Sequence, residues 1–409
     1  MTKVNTNQEK IKEILERGVE KIYPSKKDLE KKLLKGERIR LYCGYDPSAS
    51  SLHIGNAISI NKLAQFQKLG HEVIFLIGDF TGMIGDPTDK SSARQKMTRE
   101  QVLANSKNYK KEASAYLDFN GKNSARVEYN SKWSDKMTFK GLIELSSNFT
   151  VQQMIVRDMF KERMKEEKPI YLHEFLYPLA QGYDAVAMDV DLEIGGNDQM
   201  FNMMCGRDLQ RIINKKEKFV MTLKLLADDK GKKMGKTEGN AVFLNETPKN
   251  MYGIIMSWPD GVIGIGFELC AKVPMLEVKK IFKQLAEGKV NPRDLKMKLA
   301  YEITKINHGE AKAKKAEEKF ISIVQKKEAP EEIENRKLKV ESKNIIELLI
   351  ECNLAASKSE ARRLIAQKGI KVDGKAVKDI NMEVKIKKEG TLLQRGKRQF
   401  IKAVFIPKK

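Results

Sequence analysis

Cysteine is scarce in this chain, four in 409 residues, and Cys43, Cys205, Cys270 and Cys352 lie far apart. Without short-range partners they form neither a zinc knuckle nor a disulfide framework, so reduced thiols and no protein-held metal are expected. Long apolar runs are missing as well: nothing approaches the roughly 20 residues that a bilayer span needs. The opening MTKVNTNQEK is polar and lacks the apolar stretch of a secretory signal, which points to a cytoplasmic protein with no membrane partner. Proline (11) and glycine (27) are few and spread out, and with 41% hydrophobic and 32% charged residues the composition is neither fibrous nor disordered. The length exceeds what one core fills, so two or three domains are expected.

What the chain has in excess is positive charge: 77 Lys plus Arg against 55 Asp plus Glu, net +22. Lysine that only fills solvated surface gives the same total, so distribution is more telling. Residues 341–409 hold 17 basic and 8 acidic side chains, net +9, which leaves +13 for the 340 residues before them. A polyanionic partner for this tail is the natural reading.

Up to about residue 228 short apolar runs alternate with helical patterns, as in parallel α/β folds. The strand candidates are residues 38–45, 72–80, 125–130, 189–194 and 220–226. One amphipathic helix starts near His53, carries Ile58, Leu63, Phe66 and Leu69 on its apolar side, and stops at Gly70. After the loop at 227–240 the texture changes to helical spacing (Met256, Leu276, Val278, Ile281, Phe282, Leu285, Leu295, Leu299) up to about Gln325. Residues 315–340 are charge-dense and read as a solvated helix running into a linker. Beyond them lie two short amphipathic helices, then a turn and strand with Asp373-Gly374 as a hairpin signal.

Five segments carry chemistry. In the first, Tyr45 to Asn56, a strand end passes through a polar loop into a helix start whose unpaired N–H groups suit phosphate, with Ser48, His53 and Asn56 as added donors. A His at a helix start also serves as a plain cap. Gly55 removes a Cβ where a nucleotide would press on backbone. The second, Lys233-Met234-Gly235-Lys236-Thr237, places two ammonium groups three residues apart, fit to grip a triphosphate. It lacks the spacing of a Walker loop, and a solvated basic loop accounts for it equally well. The third, Ile84 to Arg94, follows a strand and offers Asp86, Lys90 and Arg94, although Asp-Pro turns with flanking charges are common. The fourth puts Tyr177, Gln181 and Asp184 at i, i+4 and i+7 of a helix, a polar stripe in an apolar setting that wants a hydrogen-bonding ligand. The fifth, Ile194-Gly195-Gly196-Asn197-Asp198-Gln199, is a strand leading through two glycines into a helix, where backbone can approach a ligand closely.

In order and spacing these segments resemble the bacterial-type tyrosyl-tRNA synthetases, a family of class I aminoacyl-tRNA synthetases, over the chain from about residue 10 onward. His53-Ile54-Gly55-Asn56 looks like the family's HIGH signature and the second segment like its KMSKS signature. Residues after Lys343 resemble a small RNA-binding module first described in a ribosomal protein. Asn56 and Gly235 depart from the signatures, where His and often Ser stand.

The resemblance implies an α/β fold: a doubly wound parallel sheet, Rossmann-like, in a catalytic domain at 1–228. A helical, anticodon-side domain with the signature loop would follow at 229–340, and a small α+β RNA-binding module at 341–409. It implies that Tyr42 and Asp184 bind the phenol of tyrosine, that Asp86, Tyr177 and Gln181 hold its ammonium group, and that Gln199 lies near its carboxylate. Cys43, Asp46, Gly55, Gly196 and Asp198 would surround ATP, with Ser48 and His53 at the γ-phosphate and Asn56 at the sugar. Lys90, Arg94, Lys233, Lys236 and Thr237 would stabilise pyrophosphate, with Mg2+ accompanying ATP. Arg362, Arg363, Lys368, Lys371, Arg395, Lys397 and Arg398 would contact phosphates of tRNA(Tyr), and the family works as a homodimer. The expected activity is tyrosine–tRNA ligation through tyrosyl-adenylate. A tryptophanyl-type synthetase and an inactive RNA-binding paralogue are the alternatives; Tyr42 beside Asp184 argues against the first, because an indole N–H only donates. The set contains no nucleophile with its base, which suits a reaction needing positioning and charge stabilisation alone.

Overall fold

The computed structural model describes residues 3–88, 96–228, 231, 234, 241–322, 334–396 and 399–407. They fall into two compact units, Met1–Glu310 and Ala311–Lys409.

The first unit is built on a six-stranded sheet: β1 (Val19–Tyr23), β2 (Arg40–Tyr45), β3 (Glu72–Ile77), β4 (Arg126–Tyr129), β5 (Leu192–Gly196) and β6 (Phe219–Leu223). Their order is β1-β6-β5-β2-β3-β4. β2 to β6 are mutually parallel and correspond to the five apolar runs in the sequence. Strands buried on both faces read as continuous Val/Ile/Leu stretches, and β3 and β6 are nearly wholly buried. β1 has no such pattern. It is a half-exposed strand, VEKIY, antiparallel to β6 at the sheet edge, so the sheet is mixed where a purely parallel one is expected.

The strand order reverses between β2 and β5: β3 and β4 are added on one side of β2, and β5 and β6 on the other. In an open α/β sheet that switch point opens a crevice at the strands' carboxyl ends. The loop after β2 and the two glycines ending β5 both arrive there. The helix Ile54–Lys68 follows β2, and Gly70 just beyond it takes φ +92°, where a Cβ would also come within 2.7 Å of the Lys3 carbonyl.

Helices Pro248–Met256, Ile263–Cys270, Met275–Ala286 and Pro292–His308 make up the predicted helical region, and it is tied to the amino terminus by Arg17. That buried guanidinium donates to the carbonyls of Phe267, Glu268, Ala271 and Val273, satisfying groups that the end of the Ile263–Cys270 helix leaves without partners. Lys62 does the same for the end of the helix Gln8–Glu16, donating to the carbonyls of Ile14 and Arg17.

The second unit has a five-stranded sheet, ordered β10-β9-β12-β13-β7, and a separate β8–β11 pair. These are β7 (Glu334–Leu338), β8 (Ser342–Asn344), β9 (Ile370–Val372), β10 (Lys375–Ala376), β11 (Glu383–Lys385), β12 (Thr391–Arg395) and β13 (Gln399–Phe405). The two expected helices are Ile345–Glu351 and Lys358–Ala366, and their apolar faces build a core with Leu338, Ile370 and Leu393. Asp373 (φ +45°) and Gly374 (φ +81°) join β9 to β10, the primed-turn geometry that the Asp-Gly pair signals. β7, within the stretch expected to be a linker, pairs in parallel with β13.

Burial, reinforced by the Arg17 charge, lowers the pKa of Lys62 to about 7. Between that value and the ordinary 10.5 the unfolded chain holds a proton on Lys62 that the folded chain lacks, so Lys62 adds stability as pH rises through this window. Lys62→Met should be destabilised by about 1–3 kcal/mol per carbonyl left unpaired. It should also lose this pH-dependent gain, which denaturant titrations of both proteins near pH 7 and near pH 10 would measure.

Candidate active site

At the switch point two strands, the loops that follow them and a helix deliver a closely coupled polar set. Tyr42 on β2 stands opposite Glu193 on β5, and Asp184 belongs to the helix Leu172–Ala187, which also carries Tyr177 and Gln181. Gly182 lets this helix approach the neighbouring helix Met200–Asn214 closely: a Cβ there would come within 3.1 Å of the Gly206 backbone nitrogen.

Tyr42 is 1% exposed, and its hydroxyl lies toward Glu193 without making a hydrogen bond of normal geometry to any described residue. Burial raises its pKa well above the usual value, and the nearby Glu193 and Asp184 charges add to the shift. Asp184 is buried too; its Oδ1 accepts from Trp133 Nε1 at 2.7 Å and its Oδ2 from Asn130 Nδ2 at 3.2 Å. Burial raises the Asp184 pKa well above the carboxylate range, the two donors oppose it, and Glu193 and Asp46 add to it. A carboxylate has about four acceptor positions, so Asp184 keeps capacity for one more donor. A buried hydroxyl without a partner beside a carboxylate with spare capacity is the arrangement that receives a ligand hydroxyl.

Tyr177 donates from its hydroxyl to Asp46 Oδ2 at 2.8 Å, and Thr81 donates to Asp46 Oδ1 at 2.6 Å. Gly78 makes room for that carboxylate, since a Cβ there would fall 2.0 Å from Asp46 Oδ1. Gln181 donates to Glu193 Oε1 at 3.1 Å, and Gln199, in the short turn Asn197–Gln199 after β5, donates to Asp86 Oδ2 at 2.7 Å. Asp86 Oδ1 accepts from the amide and hydroxyl of Thr88. The acidic groups expected near an ammonium group are thus oriented by protein donors, with Asp86, Tyr177 and Gln181 each held in place.

The loop after β2 is pinned from one side. Asn105 donates to the Pro47 carbonyl, Tyr109 to the Ala49 carbonyl, and Leu52 N–H donates to Glu112, at 2.7–2.8 Å. Ser48 lies within this loop. His53 caps the following helix through Nδ1, which accepts from Gly55 N–H at 3.1 Å, while Asn56 Oδ1 accepts from His53 N–H at 3.0 Å. Gly55 serves this cap directly, because a Cβ would come within 2.9 Å of the His53 ring. Asn56 closes a capping box from the position where the family signature has its second His.

The chain around residues 52–54 pairs with the stretch that leaves the Lys-rich loop: Ile54 N–H donates to Val242, Leu244 N–H to Leu52, and His53 bridges Phe243. Met234 N–H donates to the Leu226 carbonyl at 2.7 Å. The stretch leaving the loop is therefore anchored next to the His53 segment, and Met234 is tied back to the chain just after β6. Lys90, Arg94, Lys233, Lys236 and Thr237, expected at the triphosphate, lie outside the described residues, as do Lys397 and Arg398.

Cys43 is buried on β2, and burial pushes its thiol up to about 11, so it serves as packing and not as a thiolate. Gly196 ends β5 beside Asp198, and a Cβ there would fall 2.6 Å from Asp198 Oδ1. In the second unit Arg362, Arg363 and Lys368 are exposed and Lys371 is half-buried. Arg395 is engaged internally, donating to the Leu354 carbonyl and to Glu360 at 2.8 Å, which leaves it less free for phosphate than its neighbours.

Sequence reading missed Asn130, Trp133, Glu193 and Lys218. A charge inside the apolar strand LEIGG and a lysine just ahead of the buried strand β6 were the available signals. Among the described residues no group of three His, Cys, Asp or Glu is placed to hold a metal ion, and no helix is long and apolar enough to cross a membrane.

The family model for class I tRNA synthetases (W and Y) matches residues 34–325, and that for the C-terminal domain of SYY-like tyrosine–tRNA ligases matches residues 325–403. A tyrosine–tRNA ligase of Thermotoga maritima is 42% identical over 396 residues, covering 97% of both chains. One of Moorella thermoacetica is 43% identical over 392 residues, covering 95% of this chain and 94% of its own. Two solved structures share the fold. A C-terminally truncated mitochondrial tyrosyl-tRNA synthetase of Coccidioides posadasii matches with a TM-score of 0.61 at 24% identity, over 76% of this chain and 91% of its own. The tyrosyl-tRNA synthetase of Archaeoglobus fulgidus complexed with L-tyrosine matches with 0.58 at 19%, over 76% and 99%.

The raised Asp184 pKa means that the folded chain holds this proton more tightly than the unfolded chain. The stability that follows is complete below the ordinary value of 3.8 and is lost as pH rises through the folded value. Asp184→Asn removes the titration, so its melting temperature should gain on wild type as pH is raised from about 4 to about 8, while tyrosine activation falls sharply. Thermal melts across that range, with exchange assays alongside, check both parts.

Proposed function

From the premise that this chain belongs to the class I tRNA synthetases (W and Y), we propose that it is a tyrosine–tRNA ligase whose tyrosine pocket is the Tyr42–Asp184 site. The observation that carries the pocket is the buried Tyr42 hydroxyl, which makes no hydrogen bond of normal geometry to any described residue, beside an Asp184 carboxylate with unused acceptor capacity. The ligand's phenol accepts from Tyr42 and donates to Asp184. An indole N–H can only donate and leaves Tyr42 unpaired, which disfavours tryptophan.

The reaction runs in two steps. The tyrosine carboxylate oxygen attacks the α-phosphorus of ATP, the bond to the bridging oxygen breaks, and pyrophosphate leaves with the electron pair. The terminal adenosine hydroxyl of tRNA then attacks the carbonyl carbon of tyrosyl-adenylate, and AMP leaves. Neither step needs a protein nucleophile, so the chain's task is to hold reactants in line and to stabilise charge. The pinned loop around Ser48 and the helix start at His53 face the phosphates, and Asp198 with Gly196 faces the ribose. Lys90, Arg94, Lys233, Lys236 and Thr237 stabilise departing pyrophosphate, and Mg2+ enters with ATP as part of the substrate. Asp86, Tyr177 and Gln181 receive the ammonium group, with Gln199 toward the carboxylate.

The domain at 1–228 performs activation, 229–340 supplies the signature loop and the anticodon-side helices, and 341–409 binds tRNA. The last assignment is supported by its net +9 and by exposed Arg362, Arg363 and Lys368. The protein works in the cytoplasm as a homodimer. Among the described residues, seven of the sixteen exposed large hydrophobics fall between residues 139 and 172, including Phe139 (80% exposed), Val151 (69%) and Leu172 (83%), which supports an interaction surface there.

ATP–pyrophosphate exchange should be supported by tyrosine and rejected for phenylalanine, which leaves Tyr42 and Asp184 buried and unpaired. The expected discrimination is about 10⁴ to 10⁵, a magnitude already established for enzymes of this family and not obtained from this geometry. Equal exchange with phenylalanine would place the pocket elsewhere. For the tRNA surface, Arg362→Ala and Arg363→Ala should leave exchange intact. Each should weaken tRNA binding and flatten its salt dependence by a slope of about 0.7 to 0.9, read from affinities at several salt concentrations.

A further inference from the structure

Beneath the proposed tyrosine pocket lies an ion pair that the activation chemistry does not use. Glu193 and Lys218 are paired through Glu193 Oε2 and Lys218 Nζ, with side chains 3% and 0% exposed. The remaining Glu193 oxygen, Oε1, accepts from Gln181 Nε2 at 3.1 Å. Space for the lysine is provided at Gly206, where a Cβ would come within 2.6 Å of Nζ and 3.4 Å of Glu193 Oε2.

Such a pair is expensive to bury and is weak evidence for stability, since an apolar pair of like volume is often as good or better. Its consequence for Gln181 is specific. A primary amide has a donating and an accepting end, and a neutral neighbour such as Gln accepts either orientation. An ionised carboxylate only accepts, so Gln181 must turn its NH2 group to Glu193 and leave its carbonyl oxygen free. A carbonyl oxygen is the end that receives an ammonium group; the NH2 end would repel it.

We propose that Glu193, paired with Lys218, is a positioning residue that locks the Gln181 amide with its carbonyl toward the substrate's ammonium group, so that the enzyme selects for an α-ammonium. The proposal rests on reading Gln181 as an ammonium-binding residue of the tyrosine pocket. A purely structural brace between β5 and the segment entering β6 would instead affect every pocket ligand alike.

The test uses the full chain and three ligands: L-tyrosine, tyramine, which has the ammonium group but no carboxylate, and 3-(4-hydroxyphenyl)propionate, which has the carboxylate but no ammonium group. The variants are Glu193→Gln, and Glu193→Gln with Lys218→Met, which removes both charges together and so avoids a lone buried charge. Binding of tyrosine and tyramine to both variants should weaken about tenfold or more, as expected for losing a hydrogen bond to a charged group. Binding of the propionate should weaken clearly less than that of tyrosine and tyramine, and in exchange assays KM for tyrosine should rise more than kcat falls. Gln181→Met should weaken tyramine binding in the wild type but add little in the doubly substituted background. Equal weakening of all three ligands, or unchanged tyramine binding, overturns the positioning role. If Gln181→Met leaves tyramine binding of the wild type intact, the ammonium-site reading fails and the positioning role with it. If Gln181→Met weakens tyramine but the charge-pair variants do not, the positioning role alone fails.

Discussion

Two buried carboxylates, Asp184 and Glu193, and a half-buried third, Asp46, converge at the crevice between β2 and β5, and much of the catalytic unit is organised around keeping them there. An unpaired charge in such a place would be too costly to keep, so each has dedicated donors. Asp184 has Trp133 and Asn130, Glu193 has Lys218 and Gln181, and Asp46 has Tyr177 and Thr81. Asn130 also donates to Thr81 and accepts from Phe80 N–H, so the Asp184 and Asp46 networks share one fully buried amide. The glycines at 78, 182 and 206 leave the space these groups require.

The same constraint explains how a site without a nucleophile can be exacting. Asp184, Glu193, Gln181 and Asp46 are each held by protein partners, whereas the Tyr42 hydroxyl makes no hydrogen bond of normal geometry among the described residues, so the pocket is largely preorganised. The loop after β2 is arranged by other means. It is held through the Pro47 and Ala49 carbonyls and the Leu52 amide, and its histidine caps the next helix. A His at a helix start is thus a cap here, and capping fixes the ring at the loop's end.

The parallel strands were legible in the sequence because strands covered on both faces leave nearly unbroken apolar runs. β1 and β7 were not, for VEKIY and ENRKL are half or mostly exposed edge strands whose pairing is decided by β6 and β13 far along the chain. In the site, residues close in sequence or at helical spacing could be found: His53 with Asn56, and Tyr177 with Gln181 and Asp184. Partners joined only by the fold could not. Asp86 and Gln199 are 113 residues apart, Tyr177 and Asp46 are 131 apart, and a lone Glu in an apolar strand gives no sign that a Lys 25 positions later neutralises it. For the same reason Arg395 resembles its basic neighbours in sequence, yet the fold commits it to Glu360.

Holding an unsatisfied hydroxyl and a desolvated carboxylate side by side costs the unliganded chain stability that an apolar filling would return. Under the proposed pocket assignment that cost is tolerable because the substrate repairs it: binding would supply both missing hydrogen bonds and shift the folded population by mass action. An amino acid of the same shape without the hydroxyl fills the space and leaves both groups without partners, so it gains the apolar contacts but not the polar repair. Discrimination and instability thus have one origin. A substitution that relieves the buried polarity at Tyr42 or Asp184 should be read as removing the basis of selection, even where it makes the protein more robust.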